Sequence, residues 1–309
     1  MIFPDQRKAY PRMQISRQSF ICGLLFSSVP SLTIDSNQFI DFIPDFIDFL
    51  DAESTQPNAL TFAEKFLGRI EATIFVRMFF SQGQIPVRLS KDKAIIPVIA
   101  SKHAYIISNF KRIRADFDST YAPSYKQPAQ LTLVPSLGQF YGLSTFRGET
   151  RRLAIGVDTL AADELASPDA VIFHEFFHEY HRERAPWILN NHPFARLWAE
   201  CLAISSTIRS FRTDSVAINV PGMTSECLKA SHLRLTSHAD LNQLTNLRIN
   251  SSGKSAPLSF DYGVALEISK KLLPVDLRML SLADESAATN IVVGILKTLP
   301  YVSMMGEAG

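Results

Sequence analysis

A chain of 309 residues that is 46% hydrophobic predicts a folded protein with a substantial core, in one large or two modest domains. Its 31 lysines and arginines against 30 aspartates and glutamates create no overall field for nucleic acid or anionic lipid, so nucleic-acid binding is not expected. The three cysteines, Cys22, Cys201 and Cys227, lack the C-x-x-C spacing of a thiolate metal site, and both a Cys201–Cys227 disulfide and two buried thiols remain open.

Residues 1–33 have the charge-then-apolar order of a secretory signal, because four basic residues precede an apolar stretch at 20–32. No small-residue cleavage site follows, so a signal peptide and a disordered start are both open. The protein is secreted or periplasmic in the first case and cytoplasmic in the second. Elsewhere no stretch approaches the roughly 18 to 20 apolar residues that a membrane span needs.

Residues 34–120 form a helical N-terminal part in this interpretation. From Asp35 to about Phe80 the apolar residues recur at helical spacing, which predicts two or three amphipathic helices with Pro44 in a first turn or at a kink. Another helix is predicted at about 101–117.

Residues 121–309 begin with a loop at 121–130 and two strand candidates, LTLVP at 131–135 and RRLAIGVDTL at 151–160, joined by a glycine-containing segment. After residue 167 the pattern is mostly helical. We therefore predict an α+β, mostly helical fold in which 121–309 packs with the preceding helices as one domain.

The stretch VIFHEFFHEYHRER at 171–184 combines three histidines with glutamates and aromatic residues. Ser167 and Pro168 are typical of a helix start, and Pro186 ends the helix. His174, His178 and His181 then share one face, opposite an apolar stripe. We expect the imidazoles to point away from the densest packing.

The pattern His174-Glu175-x-x-His178 predicts a zinc site. Two imidazoles one helical turn apart can reach one zinc ion at about 2.0–2.1 Å, and Glu175 is positioned to take a proton from a zinc-bound water. A solvated polar face would explain the histidines but not Glu175. His181 lies about 10.5 Å along the helix from His174, so we expect it to line a cleft or support the ligands rather than bind the same ion.

A third ligand must come from another element, and the next predicted helix, at 194–209, offers Glu200. Glu200 lies at the edge of that helix's apolar stripe, where a carboxylate can face a shared cleft or simply reach water. Position alone leaves both readings open.

Together, HEFFH and WAECLA resemble the gluzincin zinc metallopeptidases, in which a glutamate on the next helix completes H-E-x-x-H. More narrowly, residues 130–275 resemble the DUF2268 family of predicted zinc-dependent proteases, although Cys201 stands where that family typically has glycine. The resemblance implies a zincin-like fold with a small sheet before the active-site helix. It also implies one zinc per chain held by His174, His178 and Glu200, with Glu175 as general base in peptide hydrolysis.

The resemblance further implies that the strand at 151–160 lines the cleft and pairs with an extended peptide or protein substrate. It makes Tyr262 the candidate for holding the oxyanion, with His232 or His238 as alternatives and ordinary aromatic packing as the other interpretation of Tyr262. Two rival functions stay open: a catalytically inactive interaction protein with a structural zinc, and an exported effector peptidase that acts on one host protein. Oligomeric state cannot be read from the sequence.

Overall fold

A computed structural model describes residues 39–52, 58–71, 74–75, 84–121, 130–147, 150–164, 166–189, 193–212, 258–296 and 298. These described residues all belong to one compact unit. The predicted N-terminal segment 1–33 lies outside them. The described part is α+β and mostly helical, with one small mixed sheet. Within it, no helix is long and apolar enough to cross a membrane.

The N-terminal helices are α1 (Ile43–Ala52), α2 (Ala59–Phe66), α3 (Ile85–Ala94) and α4 (Ile96–Tyr121). Pro44 lies in the first turn of α1, as predicted, and the side chain of Asn58 caps α2 by accepting from the backbone amides of Leu60 and Thr61. The phenylalanines of α1 and α2 pack together, and the rings of Phe49 and Phe62 lie 5.9 Å apart. The helical pattern predicted for 101–117 is confirmed, within a longer helix.

The sheet contains β1 (Phe39–Asp41), β2 (Gln130–Val134), β3 (Gly142–Arg147) and β4 (Thr150–Gly156) in the order β1-β2-β4-β3. Strands β1, β2 and β4 are parallel, and β3 forms an antiparallel hairpin with β4. The strand predicted at 131–135 is confirmed as β2. The strand predicted at 151–160 ends at Gly156, and Val157–Ala161 forms the short helix α5.

The prediction that 151–160 is the peptide-pairing strand is wrong. β4 lies inside the sheet with both backbone edges paired, by β2 and β3, so it has no free hydrogen-bonding edge. The edge strands of the described sheet are β1 and β3, and β3 lies in the segment expected only as a glycine-containing link.

The histidine-rich helix α6 (Pro168–Arg184) begins as predicted: Ser167 Oγ accepts from the amide of Ala170, and Pro168 occupies the first turn. A 3₁₀ turn at Pro186–Leu189 leads to α7 (Pro193–Phe211). Helix α6 packs against α4, α7 and β3. Its aromatic side meets α4, where the rings of Phe117 and Phe173 lie 4.9 Å apart.

The last described elements are α8 (Leu258–Leu272), α9 (Leu277–Leu280) and α10 (Glu285–Leu296). Helices α7 and α8 make a close contact through buried serines: Ser269 Oγ donates to the carbonyl of Cys201 at 2.7 Å, and Ser205 Oγ donates to the carbonyl of Ser269 at 3.2 Å. Helix α7 therefore packs on both α8 and α6, and its contact with α6 brings Glu200 to the histidine-rich helix.

Candidate metal centre

The three predicted ligands converge between α6 and α7. The Nε2 atoms of His174 and His178 are 3.0 Å apart, and Glu200 Oε2 lies 3.3 Å from the first and 3.5 Å from the second. The four-residue spacing stacks the two imidazoles on one face of α6, and α7 supplies the carboxylate. All three side chains are buried.

These distances fit a single metal ion. A tetrahedral zinc with bonds of about 2.0–2.1 Å separates its ligand atoms by about 3.3–3.4 Å. The circle through the three atoms has a radius of about 1.9 Å, which is shorter than a zinc bond, so one ion can reach all of them. Among the described residues this is the one group of three histidine, cysteine or acidic side chains arranged to hold a metal.

The Glu200 carboxylate and the His174 imidazole affect each other's pKa values. Burial lowers the pKa of His174, but the hydrogen bond and the negative charge of Glu200 outweigh it, so the pKa is raised. Burial raises the pKa of Glu200, but His178 and His174 hold it well below its usual range. The Glu200 carboxylate is therefore kept ionised beside the His174 imidazole, which favours a proton, and a metal ion binding there would displace that proton.

Glu175 lies at the same site, and its negative charge also raises the pKa of His174. Strand β3 runs directly beside its side chain. A Cβ atom on Gly142 would lie 2.6 Å from Glu175 Cγ and 2.7 Å from Oε1. Only glycine leaves this space for the carboxylate, because real Cβ contacts are essentially never shorter than 3.0 Å. Sequence reasoning missed Gly142, and its only signal was a glycine in the segment between two strands.

The chain matches no protein-family model, no curated protein and no solved structure. The resemblance to gluzincins and to DUF2268 therefore stays a prediction that rests on HEFFH and WAECLA.

The expectation that the imidazoles face away from the packing is wrong. His174, His178 and His181 are 3%, 6% and 0% exposed, because α7 covers the polar face of α6 while α4 covers its aromatic face. His181 consequently does not line an open cleft. Neither of its ring nitrogens has a hydrogen-bond partner among the described residues, and burial, followed by the charges of His178 and Arg182, lowers its pKa to about 3.

The side chains of three other predicted site residues lie outside the described part of the chain. The backbone of Tyr262 lies in α8, but its side chain is outside the described part of the chain, as are His232 and His238. Cys201 is a buried thiol next to Glu200, and Cys227 lies outside the described residues.

Two further buried acids, Asp92 and Asp158, do not belong to the metal-ligand group, and sequence reasoning missed them. Asp158 follows β4 and accepts from the amide and the hydroxyl of Ser136 at 2.5 and 3.1 Å. Asp92 of α3 is 4% exposed, and burial together with the charge of Asp158 raises its pKa to about 8. The pair therefore retains a proton at neutral pH.

Proposed function

We propose that the protein is a zinc-dependent peptidase that hydrolyses peptide bonds with Glu175 as general base. The observation that carries the proposal is the convergence of two imidazole nitrogens and one carboxylate oxygen, 3.0 to 3.5 Å apart, next to a second carboxylate that follows the first ligand in sequence. Three protein ligands with an open fourth position are typical of catalytic rather than structural zinc. The described residues offer three ligands and no fourth.

A zinc ion bound by His174, His178 and Glu200 would lower the pKa of a water molecule and polarise the substrate carbonyl. The carboxylate of Glu175 would accept the proton of the attacking water and pass it to the nitrogen of the leaving amine. Contact with Gly142 keeps that carboxylate close to β3. Helix packing fixes the ligands, since each lies on a helix rather than on a loop.

Substrate binding is proposed at β3. This edge strand has one strand partner among the described residues, β4, and we propose that the backbone groups on its other side pair with an extended peptide. Because Gly142 begins β3 and contacts Glu175, a peptide added to this edge would bring its backbone near the general base. Such pairing recognises the backbone of the peptide rather than its side chains. We propose a zincin-like fold as part of the same function.

The test is metal content together with hydrolysis of labelled casein and of a mixed peptide library by wild type and Glu175→Gln. We expect one zinc per chain in both proteins and hydrolysis in the wild type alone. Absence of metal from both after gentle purification would refute the site. Zinc in both with equal hydrolysis would refute the role of Glu175, and zinc in both with no hydrolysis would refute the peptidase function.

The alternative is a catalytically inactive protein with a structural zinc. The deep burial of the ligands favours it, since Glu175 and Glu200 are each only 7% exposed. A structural site is closed by a fourth protein ligand. Cobalt substitution separates the two, because the absorption spectrum of bound Co²⁺ changes with a competing anion such as azide only where a position is open.

A further inference from the structure

A row of charged side chains lies beside the metal ligands on α6. Glu175, Glu179 and Arg182 follow one another at spacings of four and three residues, so they share a helix face next to that of His174 and His178. Glu179 is only 1% exposed, and Nη1 of Arg182 is shielded from solvent. Carboxylates and a guanidinium are costly to bury unless their charges are balanced.

Arg182 lies within electrostatic reach of three carboxylates. Burial lowers its pKa, while the negative charges of Glu175, Glu179 and Glu200 raise it. With neutral imidazoles, these three carboxylates and one guanidinium together carry a net charge of two negative units. Negative charge near the ligands favours a divalent cation there over a monovalent one.

We propose that Glu179 and Arg182 set the charge of the metal centre, and thereby its affinity for zinc, without touching the ion. This inference rests on the proposed metal site but not on peptidase activity. Glu179 adds negative charge that favours a dication, whereas Arg182 opposes the dication and offsets the third carboxylate. The two residues act through the field at the ligands, so removing their charges shifts zinc affinity in opposite directions.

The experiment compares zinc dissociation constants, measured by competition with a chromophoric chelator, for the full-length wild type, Glu179→Gln, Arg182→Gln and the double variant. Glutamine keeps the shape of glutamate, and in place of arginine it keeps the inner part of the side chain and a polar end without the charge. We expect Glu179→Gln to weaken zinc binding about tenfold or more and Arg182→Gln to strengthen it by a similar factor, as for charges within about 10 Å in a poorly solvated region. The double variant should return close to wild type.

Two controls separate charge from structural damage. Glu183→Gln removes the same charge one turn beyond Glu179, at a half-buried position about 180° around α6 from His174, and should weaken zinc binding less than Glu179→Gln does. Arg182→Lys keeps the charge and should bind zinc like the wild type. If Arg182→Gln does not fold, the effect of the Arg182 charge can still be measured by comparing Glu179→Gln with the double variant. The double variant should then bind zinc more tightly than Glu179→Gln.

Weaker zinc binding in both single variants, or no change in any, would overturn the inference while leaving the zinc site intact. A wild type that binds no zinc would instead refute the proposed function. The two failures are therefore distinguishable.

Discussion

Replacing Gly142 with alanine should move the general base without disturbing the metal ligands. The new Cβ would lie 2.6 Å from Glu175 Cγ, whereas ordinary van der Waals contacts are 3.4–4 Å. The Glu175 side chain must therefore shift by about 1 Å, and a displacement of that size in a reacting group costs about 100-fold in rate. Because the obstacle is the far part of a flexible side chain, we expect the stability of the fold to change little.

The assay for Gly142→Ala is kcat for peptide hydrolysis together with zinc affinity and thermal unfolding. We expect kcat about 100-fold lower, with zinc affinity and Tm close to wild type. Gly294→Ala is the matched control: a Cβ there meets nothing within 4 Å, so it should leave the rate unchanged and stabilise α10 by about 0.5–1 kcal/mol. A wild-type rate in Gly142→Ala would refute the reasoning, since the carboxylate would then not need its present position.

Three further predictions concern buried polar side chains. Glu200→Gln should weaken zinc binding by more than the 10–100-fold that loss of an outer hydrogen-bond partner causes, and wild-type affinity in chelator competition would contradict its role as a ligand. The folded protein holds a proton on Asp92 that the unfolded chain loses near pH 4, so the free energy of unfolding should fall as pH rises from about 4 to about 8, by at most about 6 kcal/mol. Asp92→Asn should remove most of that fall in urea unfolding at pH 5 and pH 8.5, and an equal fall in both proteins would show that Asp92 is not the group responsible. His181→Leu should leave the free energy of unfolding unchanged or raise it by about 1 kcal/mol, because the buried ring nitrogens have no hydrogen-bond partner among the described residues; a loss above about 2 kcal/mol would reveal a partner.

Local patterns predicted the helices well because their signals lie within a few residues. The Ser167-Pro168 start of α6 and the first-turn position of Pro44 in α1 depend only on backbone chemistry at one helix end. The two histidines of HEFFH likewise lie together because a helix turns once in about 3.6 residues.

The sheet was harder to predict because strand pairing depends on distant segments. Within 151–160 the segment LAIGV at 153–157 is apolar throughout, which fits a strand between two neighbours, but nothing local identifies β3 as its partner or as an edge strand. The helical turn at Val157–Ala161 was missed because its acid, Asp158, is anchored by Ser136, a residue from another part of the chain.

By itself, the amino-acid sequence determined which helix carries His174 and His178 and which carboxylate stands beside them, since periodicity and capping act over a single helix. Tertiary structure alone decided that Glu200 meets both imidazoles, that α7 packs over the histidine face of α6, and that Gly142 makes room for Glu175. Those contacts join residues far apart in the chain, and their distances follow from the packing of helices and strands rather than from any spacing in the sequence.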